Sequence, residues 1–245
     1  MPRPVIHSHG RLAITSSKRV ATLWVDNNAS ALRSFGEQVR RSLLRLTPIR
    51  LHVRLLNGSR LVCLEVFAVP NVRALTLQPL PSAGNAHAMA LHFLCPLLRR
   101  PAAQQLHSLD LSRLSCHTCS FAEWQQLCTL RKLRSLSLGS VLGKDRFYVL
   151  ENLALLPSLS YLSLVHASST PSSLLVPLSQ LLASAPLLQV ELRLPLTFDE
   201  WHRQSINSVD QDLRDYQRRE WDELHRLPAR LSRVHIVEVE PEDDE

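Results

Sequence analysis

The chain has 245 residues and a net charge of +6, and leucine alone fills 49 positions while aromatics make up 5% and glycines number 6. An enzyme core mixes its apolar residues more evenly and places glycine in phosphate and active-site loops, so this bias favours stacked units over a mixed catalytic core. The charge is segregated: residues 1–198 hold 21 Lys/Arg against 8 Asp/Glu, residues 199–245 hold 7 against 14, and the first 60 alone hold 11 against 2.

In chain order, residues 1–17 lack periodicity and read as a tail or irregular cap. Val20 to Asn28 then follows an L-x-x-L-x-L-x-x-N pattern with valine at two apolar positions, a short strand closed by a residue suited to capping the next helix. Leu32, Phe35, Val39, Leu43 and Leu46 fall on one helical face, ended at Thr47-Pro48. Ile49, Leu51, Val53 and Leu55 alternate as a strand, and Asn57-Gly58 turns the chain. Residues 61–67 suit a strand or a helix equally. Val72 to Leu77 restores the strand pattern, and a helix over 86–98 is bent or split by Pro96.

The pattern is clearest in the middle of the chain. Strands are predicted at Leu106–Leu111, Leu133–Leu138, Leu159–Leu164 and Leu187–Leu192. Between them the sequence predicts a helix opened by the Ser120–Glu123 capping box, another over 145–156, and a third over 172–185 with Pro177 in its first turns. A second capping box at Thr197–Glu200 precedes a long charged helix over 208–226, closed by Pro228. Leu231-Ser-Arg-Val234-His-Ile236 is the last strand, and 238–245 is an acidic end. The domain reading is thus a tail (1–17), repeats (18–198), a helical insertion (199–229), a last repeat strand (230–237) and an acidic tail (238–245).

Central apolar positions fall at 23, 51, 75, 109, 136, 162, 190 and 234, and five of the seven intervals lie between 24 and 28. A strand and a returning helix at such a period resemble the leucine-rich-repeat family, nearest its ribonuclease-inhibitor-like and F-box-associated types. The resemblance implies an α/β solenoid with short parallel strands on a concave face and irregular helices outside. No F-box module is visible before residue 18, and only Asn28 keeps the family's asparagine at the ninth position.

The local motifs argue against chemistry. Cys116-His-Thr-Cys119 has two thiols at metal-ligand spacing, with His107 and Cys128 as further candidates, but no second pair completes a zinc set. Gly139 to Asp145 lacks the spacing of a phosphate loop and puts an acid where Ser or Thr belongs. Neither a cofactor, a metal nor a small-molecule substrate is expected, and the chain reads as not an enzyme. Five cysteines without an apolar leader point to a reducing compartment, cytoplasmic or nuclear, and no stretch is apolar enough for a membrane span.

The solenoid pattern directs alternate strand residues to the concave side. The expected partner-binding residues there are Trp24, His52, Arg54, Asp110, Tyr161, Glu191, Arg193 and His235. Trp201 and Trp221 are read as covering the last hydrophobic unit, with exposed interface anchors as the other reading. The functional expectation is a non-catalytic scaffold for a protein partner; the resemblance adds substrate recognition within a ubiquitin ligase adaptor. The other reading is an RNA- or phosphate-binding module built on the basic N-terminal half.

Overall fold

The computed structural model describes residues 14–17, 20–26, 49–55, 72–79, 98–99, 101–113, 121–139, 146–165, 171–195, 197–199 and 211–239. The helices expected at 32–46 and 86–98, the ambiguous 61–67, the Cys116–Cys119 motif and Trp201 lie outside them, apart from Leu98, which is buried.

The strands are β1 (Ile14–Ser17), β2 (Val20–Asp26), β3 (Ile49–Leu55), β4 (Val72–Pro79) and β5 (Ser108–Leu111). They continue with β6 (Ser135–Leu138), β7 (Tyr161–Val165), β8 (Gln189–Pro195) and β9 (Val234–Val239). All nine form one sheet in sequence order, with β1 antiparallel to β2 and every later pair parallel. Connections carry a 3-10 turn (Pro101–Gln105) and helices α1 (Phe121–Leu127), α2 (Arg146–Leu153), α3 (Pro171–Ser184) and α4 (Gln211–Arg230).

Register follows from leucine burial. Leu23, Leu51, Leu75, Leu109, Leu136, Leu162, Val190 and Val234 pair side by side across eight strands. From Leu51 onward every member of that row is buried, and it shares one core with Trp124 and Leu127 of α1, Val149 and Leu153 of α2, Leu178 and Leu181 of α3 and Leu224 of α4. A one-residue slip would turn each leucine to the opposite face, so burial of this row fixes the pairing. Strand entries repeat as well: the Leu106, Leu133, Leu159 and Leu188 amides donate to the carbonyls three residues back, at 2.9, 3.0, 3.3 and 3.1 Å.

The expected fold class needs correction. A solenoid stacks units of one kind on like neighbours. Among the described residues the helices between the later strands run 7, 8, 14 and 20 residues, so these strands are not joined by helices of one repeating length. The sheet opens on an antiparallel strand, shifts register between Ile49 and Arg50, and runs open from β1 to β9 without curling back on itself. The architecture is one open, sequentially ordered sheet with helices over its leucine face, not a curved leucine-rich-repeat solenoid, and no concave face is defined by it.

Several elements depart from the sequence expectation. Residues 14–17 form a strand rather than part of an aperiodic tail, because pairing with β2 supplies their backbone partners. In the fourth motif Leu188, not Leu187, enters the core: Leu188 is fully buried and Leu187 is 81% exposed. Pro177 lies inside α3 rather than at its start, leaving the Ser173 carbonyl without its usual helical donor. Pro228 lies within the last turn of α4, which continues to Arg230. Finally, β9 runs on to Val239, two residues into the segment read as acidic tail.

Candidate functional site

The strand face away from the buried leucines carries the candidate residues. Alternation within each strand sets one side chain into the core and the next onto this face, so β5 and β6 alternate half-buried and buried positions. Parallel register then aligns the outer residues across the sheet. One row reads Trp24, His52, Thr76, Asp110, Ser137, Ser163, Glu191 and His235. A neighbouring row pairs Asp26, Arg54 and Gln78 at one end and Val165, Arg193 and Val237 at the other.

The eight predicted residues therefore sit on one face, but in separate groups. Trp24, His52 and Asp110 share the first row with Glu191 and His235, while Arg54 and Arg193 lie in the second at opposite ends. Tyr161 pairs with Gln189, two residues before Ser163 on β7. Trp24 and Arg54 are placed by their backbones alone.

The tightest grouping spans β7 and β8. Tyr161 donates its hydroxyl to Glu191 Oε2 at 2.6 Å, Arg193 donates Nε–H to Glu191 Oε1 at 2.5 Å, and the Ser163 hydroxyl lies 3.5 Å from the same oxygen. Tyr161 and Glu191 are diagonal neighbours across the strand pair, within reach of long side chains. Burial acts to raise the Glu191 carboxyl, but the hydrogen bonds from Tyr161 and Arg193, with the Arg193 charge, outweigh it and hold the group below its ordinary value. Burial and the bond to Glu191 push the Tyr161 phenol up, and the bond to Glu191 raises Arg193. Glu191 thus ties Tyr161 and Arg193 together through its two carboxylate oxygens. On the adjacent strand His235 Nε2 lies 3.1 Å from Gln189 Oε1.

Toward the other end, burial lowers His52; the Asp110 carboxylate, two strands away, opposes that shift and Arg50 adds to it. Asp110 Oδ1 accepts from the Ser112 amide at 3.0 Å and so is held by its own turn.

Two groups that the sequence leaves on this face or among ligand candidates have other roles. Arg233 turns to the end of α3, donating to the carbonyls of Ala185 at 2.7 Å and of Leu182, with Leu188 O at 3.5 Å. It places a cation where the helix leaves carbonyls unpaired. Cys128 is half-buried, donates to the Asn152 carbonyl at 2.9 Å, and burial pushes its thiol up to about 11. Among the described residues no group of three or more His, Cys, Asp and Glu side chains could hold a metal ion. Trp221 is buried at the end of the core, edge-on to Phe198 at 6.3 Å and tilted against His225 at 4.6 Å, so it is packing and not an exposed anchor.

No family model matches the chain, and no curated protein matches it. The leucine-rich-repeat assignment, with its ribonuclease-inhibitor-like and F-box-associated versions, is corrected accordingly: the likeness consists of strand spacing alone. Among the described residues no helix is long and apolar enough to cross a membrane.

Proposed function

We propose that this is a non-catalytic binding protein whose leucine-free strand face docks a protein partner. The observation that carries the reading is the row from His52 to His235, polar side chains in cross-strand register above a floor of buried leucines. Such a face offers aligned side chains over a wide area rather than an enclosing cleft, which suits a macromolecule better than a small substrate. Its contact residues are Trp24, His52, Arg54, Asp110, Tyr161, Glu191, Arg193 and His235; tyrosine, tryptophan and arginine are the types that dominate interface energetics. The ubiquitin-ligase version rests on the family likeness and has no other support.

The test is quantitative affinity capture from the native cell by the wild-type chain, by a Trp24→Ala/Tyr161→Ala variant, and by a Val176→Ser variant on the exposed side of α3. The reading requires that proteins held by the wild type be lost from the first variant and kept by the second. An identical captured set for all three overturns it. Capture of RNA instead, weakening steeply with salt, would replace it with the nucleic-acid reading of the basic first 60 residues.

A further inference from the structure

We propose that the β7–β9 end of this face recognises a carboxylate side chain beside an apolar residue in an extended, acidic peptide segment. The inference rests on the platform reading of the same face and names the chemistry of its occupant.

Arg193 carries it. Of the five N–H groups of a guanidinium, Nε–H is given to Glu191 and the Tyr161 phenol also interacts with the group; among the described residues its ion pair is with Glu191, and five donors exceed what these two partners take up. The side chain is 40% exposed, so donors remain within reach of a ligand. Its direction is already set, because Glu191 holds Nε while Tyr161 holds the other carboxylate oxygen. A fork fixed in advance loses less freedom on binding than a free one, and its geometry matches a carboxylate with two parallel bonds. Val165 and Val237 pair with Arg193 from the strands on either side, and Val237 is exposed. An arriving carboxylate therefore meets a cation set between two apolar side chains, where a neighbouring apolar residue of the peptide finds its own contact.

A phosphate dianion fits less well. It calls for several converging cations, whereas here one guanidinium has the Glu191 carboxylate 2.5 Å from its Nε. A monoanion on the far edge meets less of that repulsion.

The experiment is fluorescence anisotropy of the full chain with labelled ten-residue peptides alternating Glu and Leu, with matched peptides carrying Gln or phosphoserine in place of Glu. The expected result is salt-sensitive binding of the Glu peptide at least about tenfold tighter than the Gln peptide. Arg193→Gln should remove that preference, and Arg193→Lys, which keeps the charge but not the fork, should restore only part of it. Tyr161→Phe should weaken the Glu peptide with its melting temperature little changed, since it frees Arg193 without removing its charge. Equal affinity for Glu and Gln peptides, tighter binding of the phosphoserine peptide, or full preference in Arg193→Gln would each overturn the inference. If these peptides fail while capture still depends on Tyr161, the platform stands and only its acidic occupant is wrong.

Discussion

Truncating Leu136 is the sharpest probe of what holds the sheet together. Its side chain is fully buried and lies in the row between Leu109 on β5 and Leu162 on β7, themselves fully buried. Replacing it with alanine removes apolar contacts on both flanks and leaves a void that short, doubly paired strands collapse into only partly. The combined transfer and cavity cost is about 2–5 kcal/mol, toward the upper part because neighbouring rungs are fixed by backbone hydrogen bonds. Leu187 is the internal control: the same residue type, one position before a core leucine, but 81% exposed. Leu187→Ala should change stability by less than about 0.5 kcal/mol. Urea denaturation followed by far-UV circular dichroism, with a common slope for both variants, measures the difference directly. Equal midpoints would show that burial in this row does not carry the stability, and the register argument would fail with it.

Other outcomes follow from single groups. Arg233→Ala removes the guanidinium from the carbonyls of Leu182, Ala185 and Leu188 and should cost about 1.5–3 kcal/mol in thermal or urea unfolding. Glu191 has a lowered carboxyl, so its contribution is present above the unfolded value and is lost as pH falls through the folded one. Acid titration of stability should therefore flatten in Glu191→Gln over that range; an unchanged acid limb would contradict the cluster. Cys128, with its thiol pushed up to about 11 and bonded to Asn152 O, should alkylate much more slowly at neutral pH than a free cysteine, and at an ordinary rate once the protein is unfolded.

The strands were legible because the leucine spacing encodes them. A strand that buries alternate residues on one side repeats its apolar positions wherever a rung recurs, and Leu109, Leu136 and Leu162 are adjacent rungs. Family and overall shape were not legible, because strand spacing is silent about connections, and the described helices among these range from 7 to 20 residues. β1 was missed because Ile14 to Ser17 carries one apolar residue and gains its structure from pairing, not pattern. The Leu187–Leu188 shift shows the limit of a template: both are leucine, and only the turn from Ala185 decides which enters the core.

At the site, alternation placed Tyr161, Glu191 and Arg193 on one face from sequence alone. Their mutual bonding could be read only after register set Tyr161 diagonal to Glu191. Arg233 illustrates the converse. Alternation assigns it to the same face, yet its long side chain reaches the carbonyls that α3 leaves open, a need created by tertiary packing.

The most direct measurement is hydroxyl-radical footprinting of the protein alone and with a captured partner bound. The account predicts protection at Tyr161, His235 and Val237 on the strand face, with the exposed Val176 of α3 and Leu155 just after α2 reacting as in the free protein. Protection confined to Leu155 and Val176, with Tyr161 and His235 unchanged, would contradict it.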